Sequence, residues 1–270
     1  MKAFKELVRG PEAELDLGLA ALAVARVEHP DLVPGEYLRR LDELARRSGA
    51  RGIEDGRQAL ERLRQFLFEE EGFRGNVDAY YDPRNSCLND VLDRKLGIPI
   101  TLCILVMEVG RRLGLVIDGV GLPGHFIVAA QLEGERILLD PFNGGAALTE
   151  ETCVEVASRA VGRRVRLTPV HFAPSTKRQV LIRMLRNLKT VYGKQGEWEK
   201  LLRIVDLLLV VDAESVEHVR DRGTALVKLG RLHHGAAEWQ RYLQRYPHAQ
   251  DAEGLREQLR QVRQGLARLN

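Results

Sequence analysis

Cysteine is scarce in this chain of 270 residues. The three cysteines, Cys87, Cys103 and Cys153, form no CxxC pattern. An odd and widely spaced set fits neither a disulfide framework nor a zinc site. The seven histidines are scattered as well. We therefore expect no metal and no cofactor.

Long apolar runs are also absent. No segment approaches the roughly 18 consecutive apolar residues of a transmembrane helix. The N-terminal segment does not match the pattern of a secretory signal, so we expect a cytoplasmic protein. A content of 44% hydrophobic and 29% charged residues is typical of a folded globular protein. The length allows one large domain or two modest ones, at about 100–200 residues each.

Net charge is small, with 41 Lys and Arg against 38 Asp and Glu. The excess of basic residues is concentrated toward the end of the chain, because the residues from Lys177 onward include 18 basic and 11 acidic side chains. The basic residues are interleaved with acids and form no basic run with aromatics between them. This pattern favours a solvated helical surface over a nucleic-acid site.

Apolar residues at three- and four-residue spacing predict helices in the first part of the chain. These predicted helices are Glu12–Glu28, Pro34–Ser48 and Asp55–Glu71. Ser86 is expected to cap a short helix. Pro99 then opens a further helix, which ends near Gly114. Because this helix is apolar nearly all round, we expect it to be buried.

Strand-like segments follow the buried helix. The predicted strands are Leu115–Val120, His125–Gln131 and Arg136–Leu139, with Glu133 and Gly134 as a hairpin turn. A helix over Thr149–Ala160 and a basic strand over Arg163–Thr168 are predicted next.

The hairpin turn sets a register that concerns two polar residues. If Leu132 pairs with Glu135, then Ile127 faces Asp140. His125 is two residues from Ile127, on the same face, and so comes within reach of Asp140. A carboxylate beside an imidazole fixes its tautomer and raises its basicity. A slip of one residue would place the two on opposite faces.

Residues 119–124 match the dinucleotide-binding pattern GxGxxG letter for letter. That site requires a helix after the last glycine, whereas a strand-like segment begins here at His125. Pro123 also disrupts the turn. We interpret these glycines as a tight turn that aims His125, and we do not expect nucleotide binding.

From about Pro174 the chain looks helical, with a faint repeat every 34 residues. Gly196 recurs as Gly230, and each precedes the second helix of a pair. Three further pairs follow the same period, namely Trp198 with Leu232, Val205 with Trp239, and Leu208 with Tyr242. This resembles tetratricopeptide repeats, although an unrelated helical bundle stays an alternative.

A nucleophile that His125 could activate is expected at a helix start, where the helix dipole favours an anion. The helix after Pro99 offers Thr101 there. Cys103 is about 200° further round the helix, so both cannot point into one site. Cys87 is a third candidate. A thiol is the better nucleophile because it ionises near neutral pH, whereas a threonine hydroxyl needs strong activation.

Several short stretches together resemble one family. They are residues 85–89 (NSCLN), 97–102 (GIPITL), 111–115 (RRLGL), 123–126 (PGHF), 140–145 (DPFNGG) and 183–189 (RMLRNLK), with Asp221, Arg222 and Gly223. In combination they resemble the bacterial SirB-type transglutaminase-like proteins. This resemblance covers nearly the whole chain.

The resemblance implies an α+β protein. It would have a helical N-terminal region, a transglutaminase/papain-like core with a small antiparallel sheet, and C-terminal α-helical tetratricopeptide-like repeats. We place the core in residues 1–173 and the repeats in residues 174–270.

The resemblance also implies a catalytic triad of Thr101, His125 and Asp140. In the wider fold a cysteine at a helix start attacks an acyl group, and that position falls on Thr101 here. SirB-type proteins usually have serine or threonine at this place, which argues against thiol catalysis by Cys103 or Cys87.

Three asparagines are candidates for binding substrate, because an amide can donate to a developing oxyanion. They are Asn85, Asn89 and Asn143. Such residues more commonly form caps and turns, which we favour.

Three functions stay open. The chain binds peptides or proteins through a degenerate Thr-His-Asp triad, or it is an acyltransferase or amide hydrolase that uses Thr101 or a nearby cysteine. The third possible function is that of a scaffold, whose partners bind near Trp198 and Trp239. The weak nucleophilicity of threonine favours a non-catalytic or weakly catalytic protein. We expect the chain to bind a protein or peptide partner, and we expect it to bind neither nucleic acid nor a membrane. A regulatory role in bacteria is expected as well, and the oligomeric state is left open.

Overall fold

A computed structural model describes residues 2–269. The chain divides into two compact bodies. The first comprises residues 6–184, and the second comprises residues 185–270 together with the first five residues. The division falls within one helix, whereas the predicted boundary at residue 174 lies shortly before that helix.

Four helices begin the chain. They are α1 (Lys2–Arg9), α2 (Leu17–Ala25), α3 (Pro34–Arg47) and α4 (Gly56–Gln65). The helix predicted from Glu12 begins later, because the Asp16 side chain caps α2 by accepting from the N–H of Leu19 at 2.8 Å. Asp55 caps α4 in the same way. A π-helical turn over Phe66–Glu70 continues α4.

The central part of the first body contains α5 (Leu88–Arg94) and α6 (Pro99–Arg112), with a short parallel pair, β1 (Arg74–Gly75) and β2 (Leu96–Gly97). The expected cap of α5 was wrong: Ser86 belongs to a 3-10 turn that starts at Pro83, so Cys87 takes the capping position. Helix α6 is buried along most of its length, as predicted, and packs against the sheet.

A five-stranded antiparallel sheet forms the other layer of the first body. Its strands are β3 (Val116–Leu122), β4 (His125–Leu132), β5 (Glu135–Asp140), β6 (Ala146–Leu148) and β7 (Pro174–Ser175), in the order β6-β5-β4-β3-β7. Leu132 pairs with Glu135 and Val128 with Leu139, so the predicted hairpin register is confirmed.

Helix α7 (Glu150–Val161) follows the sheet. The strand predicted over Arg163–Thr168 was wrong, because that segment forms no ladder. β7 takes the place beside β3 instead. The side chains of Val165 and Leu167 pack on the apolar cluster around Val120, so burial rather than strand pairing explains their apolar character.

The second body is helical. Helix α8 (Lys177–Gln195) contains the division, and α9 (Trp198–Val211), α10 (Val216–Lys228), α11 (Leu232–Arg245) and α12 (Ala252–Leu269) follow. Gly196 and Gly230 both have positive φ, at 73° and 74°, and both lie just before a helix. The 34-residue period therefore corresponds to equivalent positions in successive helix pairs.

None of the helices in residues 2–269 combines the length and the apolar character that a bilayer crossing requires.

Candidate functional site

His125 and Asp140 meet across the β4–β5 hairpin. Nε2 of His125 lies 2.9 Å from Oδ2 of Asp140, and both residues are buried. His125 begins β4 and Asp140 ends β5, so the confirmed register brings them together diagonally. If Nε2–H donates to the carboxylate, Nδ1 is the ring nitrogen left to accept a proton.

The Asp140 carboxylate is held by further donors. Asn143 donates from Nδ2 to Oδ2 at 2.7 Å, and the backbone N–H of Phe142 donates to Oδ1 at 3.1 Å. Burial by itself would raise the pKa of Asp140, but the hydrogen bonds from His125, Asn143 and Phe142 hold it below its usual value. The carboxylate is therefore ionised and keeps the imidazole in a fixed orientation.

Aromatic rings surround this pair. The Phe142 ring lies edge-on to His125, with centroids 6.0 Å apart, and also edge-on to Tyr80 at 6.1 Å. Tyr81 in turn contacts Tyr80 at 5.4 Å. Gly75 permits this arrangement, because a Cβ there would lie 2.6 Å from the Phe142 ring. An apolar wall with a partly exposed edge thus flanks the imidazole.

The Thr101 hydroxyl has backbone partners. It donates to the carbonyl oxygen of Asn85 at 2.6 Å and accepts from the N–H of Ile98 at 3.2 Å. Thr101 occupies the third position of α6 and is fully buried. Its hydroxyl accepts a hydrogen bond from a backbone N–H at the start of the helix, which has no acceptor within the helix. The hydrogen bonds of the Thr101 hydroxyl all go to backbone groups, and none joins it to His125. The catalytic role of Thr101 stays a prediction.

The two alternative cysteines are buried. Cys103 points away from the Thr101 hydroxyl, with its Sγ 3.4 Å from the carbonyl oxygen of Phe126. Burial, assisted by the charge of Asp140, raises the pKa of the Cys103 thiol well above its usual value. Cys87 lies at the cap of α5 and is 1% exposed. Both thiols are enclosed, and the protonated thiol of Cys103 is a weak nucleophile.

The three predicted asparagines lie in different surroundings. The side-chain amide of Asn85 donates to the carbonyl oxygens of Ala79 and Tyr80, and its Oδ1 accepts from Asn76. Asn89 is buried, and its Oδ1 has no partner within residues 2–269. Asn143 is exposed and supports Asp140, as described above.

Sequence reasoning missed Arg183 as a residue of this site. The stretch that contains it contributes to the family resemblance, but 58 residues separate it from His125 and no spacing connects them. The fold nevertheless brings the Arg183 guanidinium to the carbonyl oxygen of His125, at 2.5 Å.

A second polar cluster lies in the helical body, where Glu217, His218 and Asp221 bring ligand atoms within 4.8 Å of one another. Such a set could hold a metal ion. Nζ of Lys189, however, donates to Glu217 at 2.6 Å and to Asp221 at 2.5 Å. The ammonium group already supplies the positive charge that these carboxylates require.

Comparison with known proteins places the two bodies in known families. The model of the transglutaminase-like superfamily matches residues 35–186, and that of the tetratricopeptide repeat matches residues 188–260. No solved structure matches the chain.

Similar proteins occur in several bacteria and in mammals. A UPF0162 protein of Xylella fastidiosa is 37% identical over 247 residues, which is 90% of this chain and 88% of that protein. A UPF0162 protein of Pseudomonas aeruginosa is 34% identical over 180 residues, covering 66% and 65% of the two chains. F-box only protein 21 of Homo sapiens is 28% identical over 176 residues, 61% of this chain and 27% of its own.

These matches confirm the family resemblance and the α+β fold class. The chain belongs to the transglutaminase-like superfamily and, within it, to the bacterial UPF0162 (SirB-type) family, which joins the transglutaminase-like core to C-terminal tetratricopeptide repeats.

Proposed function

We propose that the chain is a non-catalytic protein-binding member of its family, with a regulatory role, and that the His125–Asp140 site holds a segment of a partner protein. The observation that carries this proposal is the direction of the Thr101 hydroxyl. It donates to the Asn85 carbonyl and not to His125, so this hydroxyl is not poised for activation by the imidazole.

The surroundings of His125 suit binding. The imidazole, held in place by Asp140, lies beside the Phe142 ring. Tyr81, whose ring contacts Tyr80, is 54% exposed. An exposed aromatic ring near a fixed polar group is typical of surfaces that recognise peptides.

The helical body supports the same function. Tetratricopeptide repeats stack helix pairs into surfaces that bind protein segments. The expectation that Trp239 offers such a contact does not hold, because Trp239 is 2% exposed and fills the packing between helices. Trp198 is half-buried at the start of α9 and stays a candidate.

Catalysis is the alternative that one observation favours. The His125–Asp140 pair keeps the geometry of a general base and its orienting carboxylate. Acyl transfer or amide hydrolysis would then require a nucleophile, Thr101 or a cysteine, to turn toward Nδ1 of His125.

An activity assay separates these functions. Amine incorporation into a glutamine-containing protein, and hydrolysis of an aryl ester, are measured for the full chain and for T101A, T101C and H125A. We expect no turnover above background in any of them. T101C is included because the side chain of residue 101 is directed at a backbone carbonyl. A thiol at this position should therefore give no turnover. Turnover by the unaltered chain that is lost in both T101A and H125A would overturn the proposal.

A binding experiment tests the positive half of the proposal. Peptides selected from a displayed random library against the full chain are titrated into H125A, Y81A and W198A, with R159A as the matched control on an exposed part of α7. We expect weaker binding to H125A and Y81A and unchanged binding to R159A. Loss confined to W198A would contradict a role for the core and favour a scaffold built on the repeats.

A further inference from the structure

Arg183 is attached to the turn that carries His125. Its Nη2 group donates to the carbonyl oxygens of Leu122 and His125, at 3.0 and 2.5 Å. The guanidinium carbon lies 5.2 Å from the centre of the Phe126 ring. These contacts fix the position of the cation at the edge of the candidate site.

The remaining donors of Arg183 are free. Neither Nε nor Nη1 makes a hydrogen bond within residues 2–269. The buried side-chain nitrogens and oxygens that lack a partner in the same residues belong to Asn89 and His218. Arg183 is half-buried and is not among them, so its free N–H groups are not sealed in the interior.

No carboxylate in the described chain forms an ion pair with Arg183. Burial lowers the pKa of Arg183. An arginine nevertheless stays protonated in a protein. A half-buried cation without a counter-ion is unfavourable, and an anion from outside the chain would compensate it.

We propose that Arg183 binds a carboxylate group of the ligand, at the edge of the site next to His125 and Tyr80. The inference rests on the proposed function, because it names the group by which the bound segment is recognised. A carboxylate fits better than a phosphate, since the single positive charge of Arg183 balances one carboxylate but not a phosphate dianion. The rings of Tyr80 and Phe142 would then contact the apolar part of the same ligand.

Small carboxylates test this directly in the unaltered full chain. N-benzoylglycine carries a terminal carboxylate, N-acetylglutamic acid α-amide carries a side-chain carboxylate, and N-benzoylglycinamide carries none. Each is titrated while the Nε–H signal of Arg183 is followed by ¹H–¹⁵N NMR. We expect a saturable shift of this signal with at least one carboxylate and none with the amide. The stronger of the two carboxylates identifies whether a chain terminus or an acidic side chain is recognised.

Two variants separate binding from a purely structural role of Arg183. In R183M the affinity for the carboxylate should fall by about tenfold or more, the loss expected for a charge-assisted hydrogen bond. R183K keeps the charge and should retain part of the affinity, and R159M on the exposed face of α7 should retain all of it. A structural role would lower the stability of R183M without an effect of any carboxylate on the unaltered chain.

The inference is overturned if neither carboxylate shifts the Arg183 signal, or if R183M binds as well as the unaltered chain. The proposed function fails separately, through turnover in the activity assay. Selected peptides that bind equally well with amidated ends and without acidic residues would leave the proposed function standing and reject the carboxylate.

Discussion

The two bodies of the chain each contain a buried histidine, and the two imidazoles have different surroundings. His125, in the core, has its Nε2 2.9 Å from Asp140. His218, in the helical body, is fully buried with no hydrogen bond to either ring nitrogen within residues 2–269. Its nearest carboxylate, that of Asp212, is 3.9 Å away.

The comparison separates a packing residue from a site residue. Burial lowers the pKa of His218, and the positive charges of Lys189 and Arg186 lower it further, so this imidazole is neutral. It fills space between helices. His125 instead has a carboxylate partner and an aromatic neighbour, which are features of a site. Burial of a histidine is therefore a weaker indication of function than its partners are.

The largest expected effect comes from removing the partner of His125. D140A leaves the buried imidazole and the N–H groups of Asn143 and Phe142 without their acceptor. We expect the free energy of unfolding to fall by about 3 kcal/mol, as for other broken buried pairs. Urea denaturation measures it. D140N, which keeps the shape of the side chain, should lose less stability than D140A. A loss of stability in D140A no greater than in R159A would contradict Asp140 as the buried partner of His125.

Removal of the Thr101 hydroxyl is expected to have the second-largest effect on stability. T101A removes the group that bonds the Asn85 carbonyl and the Ile98 N–H, and we expect a loss of about 1–2 kcal/mol of stability. T101S restores the hydroxyl and should lie close to the unaltered chain. Urea denaturation compares the three proteins. Unchanged stability of T101A, together with a loss of turnover, would instead identify Thr101 as a nucleophile.

His218 should tolerate an apolar substitution. Because neither ring nitrogen has a partner, H218L removes two unsatisfied polar atoms from the helical body. We expect stability at pH 7 to change by less than about 1 kcal/mol, in the stabilising direction. The same denaturation measurement checks it. A large loss would mean that the ring nitrogens have a role that its packing does not show.

The smallest expected effect is a change in the pH dependence of stability when His218 is replaced. The folded-state pKa of His218 is lowered, so the unfolded chain binds its proton more readily. Stability contributed by the neutral ring is complete above the ordinary imidazole pKa of about 6.5 and decreases as the pH falls below it. Denaturation midpoints measured between neutral and mildly acidic pH should fall less steeply in H218L than in the unaltered chain. Parallel slopes would contradict a lowered pKa.

Local sequence pattern predicted much of the core. The β4–β5 register followed from a two-residue turn at Glu133 and Gly134, and it brought His125 to Asp140. The strand expected over residues 163–168 failed because an extended apolar segment can pack its side chains without joining a ladder. Periodicity reports burial, and it does not report which backbone groups are paired.

Distant parts of the chain decided the rest of the site. The direction of the Thr101 hydroxyl depends on the carbonyl of Asn85, 16 residues earlier. No spacing rule predicts that contact, because a loop whose geometry depends on tertiary packing lies between them.

The sequence by itself determined the helices and hairpin, the 34-residue repeat and the family, since these depend on local periodicity, turn chemistry and short motifs. Only the tertiary structure decided that the Thr101 hydroxyl bonds the Asn85 carbonyl and that Arg183 bonds the carbonyl oxygen of His125. The physical reason is that hydrogen bonds form between whichever groups packing brings together, and here packing joined elements far apart in the chain.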